Sequence, residues 1–148
     1  MPVPAASASD PLHLDSQLCF PLYAVSRLFT KAYQPFLQEL GLTYPQYLVC
    51  LVLWEHGELT VKALGDKLLL DSGTLTPLLK RLEQKQWVSR RRDSHDERSV
   101  LISLLPAGQA LRQRACQIPE QLMAKLNLPA ADMAALRTQL QALLAHLS

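Results

Sequence analysis

The chain has 148 residues, is 49% hydrophobic and 19% charged, and carries a formal net charge of +2. That length suits one domain with one main core, and that balance excludes wholesale disorder. The longest apolar run, Tyr47 to Trp54, falls well short of the ~20 residues a membrane span needs, and the opening M-P-V-P-A-A-S-A-S-D has neither the basic start nor the apolar centre of a signal peptide.

Residues 1–14 read as a flexible tail and residues 15–148 as a single domain. Asp15 or Ser16 is the expected cap of a first helix, along which Leu18, Leu22, Val25, Phe29, Tyr33 and Phe36 keep helical spacing. Pro21 falls near its first turn, Pro35 is expected to kink or end it, and Gly41 to terminate it. Thr43-Tyr44-Pro45 opens a second helix whose centre is apolar on nearly all sides, so it should lie deep in the core. Gly57 closes it. Leu59-Thr60-Val61 suits either a short strand or a helix lead-in, and Thr60 caps a third helix, Val61 to Leu68.

After a short linker, with Ser72 as the expected cap, comes a helix whose Leu75, Leu78, Leu79 and Leu82 recur at i, i+3, i+4, i+7. Its other face carries Thr76, Pro77, Lys80, Arg81 and Gln84. An apolar back with a hydroxyl-and-cation front is what a helix lying in a DNA groove requires. The two short helices form a helix-turn-helix candidate. Val88 to Arg92 and Ser99 to Leu104, joined by the turn cluster Asp93–Glu97, make a hairpin, and a hairpin placed there is a wing. Pro106-Ala107-Gly108 opens a C-terminal helical region with Leu111, Ala115, Ile118 and Leu122 on one face and a bend at Pro119. A last helix starts at Pro129 or Ala130 and carries Met133, Leu136, Leu140, Leu143, Leu144 and Leu147.

Charge is distributed unevenly along this order. Residues 80–98 hold seven Lys or Arg against four acids, a local +3; the remainder holds eight against nine, or −1. A positive field concentrated on a helix–strand–turn unit suits a phosphate backbone, although such a cluster taken alone also fits a solvated basic surface. The terminal helical regions, 15–42 and 106–148, carry more apolar positions than a small winged unit over 43–105 can cover. That excess favours a second subunit, and a two-fold dimer would explain how a single recognition helix binds with useful affinity.

In its order of elements the chain resembles the MarR family of winged helix-turn-helix regulators over nearly its whole length. The segments L-D-S-G-T-L-T-P-L-L-K-R-L-E (70–83), D-E-R-S-V (96–100) and L-D-S-Q-L-C-F-P-L-Y-A-V-S-R (14–27) carry the resemblance, and together they are similar to the OhrR branch, the organic hydroperoxide resistance repressors. The implied fold is mainly α with a small β wing, flanked by N- and C-terminal dimerisation helices. Pro21 departs from the pattern, since it takes the helical donor from the Gln17 carbonyl near Cys19.

The resemblance implies a homodimer that binds a palindromic double-stranded DNA operator; no cofactor or metal is expected, and three widely separated cysteines, which suggest no disulfide framework, make a cytoplasmic setting the default. Ser72, Thr74, Thr76, Lys80, Arg81 and Arg90 are the candidate DNA residues outside the wing tip. At the tip Arg98 suits a narrow minor groove, and Asp96 is implied to orient it through a salt bridge. Arg90 and Arg92 alternate with Arg91, so at most one set faces DNA.

A lone cysteine on an apolar helix face is ordinarily a small core residue. Near a helix start, however, the positive end favours a thiolate, the form that attacks a peroxide. The resemblance makes Cys19 the redox sensor, Tyr33 and Tyr44 its hydrogen-bonding pocket, and Cys116 a candidate resolving thiol. Tyr33 lies 14 positions beyond Cys19, about 21 Å along a straight helix, so a Tyr33 contact must come from the partner subunit. Cys50, set among Leu48, Val49, Leu51 and Val52, is core.

Two other readings remain. One is a MarR-type repressor released by a small phenolic ligand. The other is a thiol peroxidase, for which no nucleophile–base–orienter set is visible. Histidines 13, 56, 95 and 146 are scattered and unpaired with cysteine, which argues against zinc.

Overall fold

The computed structural model describes residues 10–148. Seven α-helices among them are α1 (Cys19–Leu40), α2 (Tyr44–His56), α3 (Val61–Leu68), α4 (Ser72–Gln84), α5 (Pro106–Ala115), α6 (Ile118–Leu126) and α7 (Ala130–Leu147). Three strands, β1 (Leu59–Thr60), β2 (Val88–Arg92) and β3 (Val100–Leu104), form one antiparallel sheet in the order β1-β3-β2. The fold is winged helix-turn-helix, mainly α with a small β wing. No described helix is long and apolar enough to cross a membrane.

Most of the expected tail, residues 1–9, lies outside the described residues. Asp15 and Ser16 do not cap the first helix. They belong to a single 3-10 turn, Leu14–Ser16, and α1 begins at Cys19 behind Leu18, which makes no side-chain cap. Pro21 supplies a physical reason. A helix begun at Ser16 would place it in the interior, where its missing N–H breaks a bond. Begun at Cys19, the helix has Pro21 at its third position, among the four N–H groups that lack an intrahelical partner anyway. The departure noted in the sequence therefore costs this turn nothing.

Nor does Pro35 end α1, which runs on to Leu40. Lys31, whose carbonyl loses a donor to Pro35, is exposed, so solvent can serve it. Leu37 and Leu40 are buried and hold the last turns to the core. Gly41 stops the helix in the left-handed region, at φ 73°.

Thr43 caps α2 in a capping box. Its hydroxyl accepts from the Gln46 amide while the Gln46 side chain accepts from the Thr43 amide. As expected for a helix apolar all round, α2 buries Tyr47, Val49, Cys50 and Leu53. Leu59-Thr60-Val61 turns out to be both alternatives at once: β1 pairs with β3, Leu59 opposite Ile102, and the Thr60 hydroxyl caps α3.

Leu111, Ala115, Ile118 and Leu122 are all buried. The break among them falls at Cys116–Gln117, before the expected site, because Pro119 sits at the second position of α6, where a proline is harmless. α7 buries none of its residues. Its apolar side chains Met133, Leu136, Leu140 and Leu144 face Leu22 and Phe29 of α1 across a groove of about 680 Å³.

Candidate nucleic-acid interface and redox site

The turn between α3 and α4 depends on Gly65. A Cβ there would lie 2.6 Å from the Leu70 carbonyl oxygen, while the Leu70 amide returns to the Gly65 carbonyl at 3.0 Å. Asp71, not Ser72, caps α4: its Oδ1 accepts from the Thr74 amide at 2.7 Å, and Ser72 is the first helical residue. The Thr74 amide and hydroxyl hold the Asp71 carboxyl below the ordinary carboxylate range. Asp fills this role better than Ser here because a charged acceptor also complements the positive helix end. Thr76 donates its hydroxyl proton to the Ser72 carbonyl at 2.7 Å and is half-buried.

Behind this face Leu75, Leu78, Leu79 and Leu82 are buried as the spacing required. In front, Lys80 and Arg81 are exposed, and their side chains make no hydrogen bond or ion pair with other described residues. The α4 front and the wing flank a cleft of about 650 Å³ lined by Ser72, Thr76, Arg90 and Arg98 among others.

The wing arginines have separate tasks. Arg90 lies opposite buried Ile102, and its Nε donates to Glu83 Oε2 of α4 at 2.6 Å. Arg91 faces the other way, with Nη2 2.7 Å from Glu58 Oε1. Arg92 Nη1 reaches the Glu97 carbonyl at 3.5 Å. Arg98 at the tip is exposed, and its guanidinium has no partner among the described residues. The implied Asp96–Arg98 salt bridge is absent. Asp96 instead accepts the Arg98 amide at 3.0 Å and the Ser99 hydroxyl at 3.2 Å, so it shapes the tip backbone and leaves the guanidinium free.

Cys19 is the first residue of α1 and is exposed. The unbroken α1 confirms that Tyr33 cannot reach the Cys19 of its own chain. Tyr33 and Tyr44 do come together, with ring centroids 5.1 Å apart. Tyr47, which the spacing marked only as core, completes a cluster at 5.8 Å from Tyr33 and 6.3 Å from Tyr44. Burial raises all three phenols. Tyr47, further raised by its two neighbours, is pushed up to about 12. Cys50 is fully buried and its thiol is pushed up to about 12 by burial, which makes it inert. Cys116 is exposed at the α5–α6 break, and its thiol donates to the Gln113 carbonyl at 2.9 Å.

Three comparisons bear on this arrangement. Residues 31–114 match a protein family described as transcriptional regulator SarA/Rot. The chain is 50% identical over 135 residues to the organic hydroperoxide resistance transcriptional regulator of Bacillus subtilis (strain 168), covering 91% of this chain and 92% of that protein. Among solved structures, reduced AbfR bound to DNA superposes with a TM-score of 0.76 at 41% identity, covering 91% of this chain and 94% of that one. The chain belongs to the MarR family of winged helix-turn-helix transcriptional regulators, on its organic hydroperoxide resistance branch. A disulfide-formed AbfR aligns as well, with a TM-score of 0.66 at 40% identity, covering 90% of this chain and 91% of that one; AbfR comes from Staphylococcus epidermidis. Membership places this MarR-family chain among transcriptional regulators and not among thiol peroxidases.

Glu83, Glu58 and Tyr47 were invisible as site residues in the sequence. Glu83 left one signal: it is seven positions after Thr76, hence on the same side of the recognition helix, and an acid there is out of place.

Proposed function

We propose that the chain is a redox-sensing repressor whose reduced homodimer binds a palindromic operator and lets go when an organic hydroperoxide oxidises Cys19. The observation that carries this reading is the position of Cys19: exposed, first in α1, and next to a helix face that its own chain leaves uncovered. A second copy laid against that face would complete the site, and the partner's Tyr33 and Tyr44 would then approach Cys19. The DNA side rests on Ser72, Thr74, Thr76, Lys80 and Arg81 in the major groove and Arg98 in the minor groove, with Asp96 shaping the tip.

The chemistry balances in two steps. The Cys19 thiolate attacks the terminal oxygen of the hydroperoxide; with one proton taken up, the O–O bond breaks and gives a sulfenic acid and an alcohol. A second thiol then attacks the sulfenic sulfur, forming a disulfide and releasing water. Cys116 is our candidate for that thiol, since it is exposed at the break between α5 and α6. Closing such a bond between subunits would displace α1 and the α5–α6 junction together, and with them the spacing of the two recognition helices.

A gel mobility shift with DNA from upstream of the coding sequence, before and after cumene hydroperoxide, tests this. Reduced protein should shift the DNA and oxidised protein should not. On a non-reducing gel the oxidised sample should show a band of twice the chain mass that is absent in Cys116→Ser. Cys19→Ser should bind and ignore the peroxide; a Cys19→Ser protein still released by peroxide would sink the proposal.

A further inference from the structure

We propose that Glu83 is a positioning residue for operator recognition: through its ion pair with Arg90 it fixes the angle between α4 and the wing, and so sets how well the protein separates its operator from other DNA. This rests on the reading of the chain as a DNA-binding regulator.

The exposed side of α4 is a hydroxyl-and-cation surface. Glu83 falls three positions after Lys80 and seven after Thr76, on that same side. An acid facing phosphates is unfavourable unless it does something else, and here it holds Arg90, Nε to Oε2, at 2.6 Å. Both side chains are shielded in part, at 28% exposure for Arg90 and 41% for Glu83. Arg90 lies two residues beyond buried Val88 and opposite buried Ile102, on the inner face of the hairpin. One end of the pair is therefore in the last turn of the recognition helix and the other on the wing sheet.

Besides this pair, α4 and the wing share an apolar core, with Leu79 and Leu82 of the helix and Val88 and Ile102 of the sheet all buried, and a short connection in which the Trp87 amide donates to the Leu82 carbonyl at 3.1 Å. Apolar packing is non-directional and tolerates small rotations. A guanidinium–carboxylate bond is directional, because the planar fork offers fixed donors. The position of the free Arg98 guanidinium relative to Thr76 and Lys80 follows from the direction of β2 and β3: the connection fixes where β2 begins, and this bond, two residues further along, holds its direction. The Arg91–Glu58 pair lies on the opposite face and ties the wing to the α2–β1 connection, away from α4. Glu58→Gln is thus the matched control: the same loss of charge, with no effect on the helix–wing angle.

Charge alone and positioning predict opposite signs. Deleting an acid near the phosphates should tighten binding to every duplex. Losing the angle should weaken base and groove contacts and leave the sequence-independent attraction intact.

The test uses fluorescence anisotropy on two duplexes of about 30 base pairs, enough for two half-sites. One is enriched from a random pool by the wild-type protein; the other is a shuffle of it. Glu83→Gln should bind the enriched duplex about tenfold more weakly, and the shuffled one equally or up to about twofold more tightly. Arg90→Gln should lose the same ratio, and the double variant no more than either, because the two act through one bond. Glu58→Gln should keep the ratio.

Tighter binding of Glu83→Gln to both duplexes overturns the proposal. So does an Arg90→Gln whose salt slope falls by about one, which would make Arg90 a phosphate contact in its own right. Should Glu83→Gln unfold, Glu83→Asp decides, since it keeps the charge with a shorter reach: a reduced ratio supports positioning and an unchanged ratio overturns it. A wild-type protein that enriches no sequence overturns the DNA-binding reading itself, a result separate from an unchanged ratio.

Discussion

In the winged unit the apolar positions close on their own chain: Leu64, Leu75, Leu79, Leu82, Val88 and Ile102 are each at most 1% exposed. In α7 the same kind of leucine spacing buries nothing; Leu136, Leu140 and Leu144 stay 38%, 40% and 50% exposed. The first half of α1 behaves like α7, with Leu18, Phe20, Val25 and Leu28 exposed, whereas its last turns join the core through Leu37 and Leu40. Hydrophobic periodicity states that a face must be covered; it does not state by what. One region has been satisfied within the chain, and the other presents its stripe to the surface.

The two regions should break differently, and the largest effect lies in the winged unit. Leu79→Ala removes a fully buried side chain and should cost about 2–5 kcal/mol, measured by chemical denaturation. Leu140→Asp with Leu144→Asp changes exposed positions and should leave the fold of one chain intact. Sedimentation should instead show loss of the proposed dimer, with affinity for the proposed two-half-site operator down by about a hundredfold. A double variant that remained dimeric would remove α7 from the interface.

The tyrosine cluster gives a window in pH. The Tyr47 phenol ionises at about 12 in the folded chain, above its ordinary value, so the folded state retains its proton more firmly than the unfolded state. Its contribution is fully present below pH ~10 and is lost as pH rises towards 12, amounting to about 2 kcal/mol across that window. Thermal melts should fall over that range, and less so in Tyr47→Phe. The smallest effect on stability belongs to Arg98→Ala, whose guanidinium has no hydrogen-bond or ion-pair partner among the described residues. Its melting temperature should match the wild type while operator affinity drops roughly tenfold to a hundredfold. Unchanged affinity would remove the wing from DNA recognition.

Much of the fold was legible because it is written locally. Gly41 and Gly57 end their helices, Thr43 and Thr60 cap theirs, and the strand Val88–Arg92 has the limits its residues suggested. Capping acts over three residues and periodicity over seven, both within one sequence window. Where two local rules compete, the sequence alone does not rank them. Asp15 and Ser16 are good caps, yet Pro21 fits better when the helix begins later. Asp71 and Ser72 are both good caps, and the charged one took the place. Pro35 is a helix breaker, but the buried Leu37 and Leu40 carry α1 past it.

The sequence by itself determined the order of elements, the buried face of α4, the basic character of the helix–wing unit, and the separation of Cys19 from its own Tyr33, which follows from helix rise alone. Tertiary structure decided the rest: that Arg90 turns to Glu83 and Arg91 to Glu58, that Tyr47 joins Tyr33 and Tyr44, and that Lys85 reaches the Gly41 carbonyl at the end of α1. The Arg91–Glu58 and Lys85–Gly41 contacts join residues 33 and 44 positions apart. At such separations the chain's path, and not its local preferences, determines which groups meet, and an exposed arginine reads the same in sequence whether a carboxylate waits for it or not.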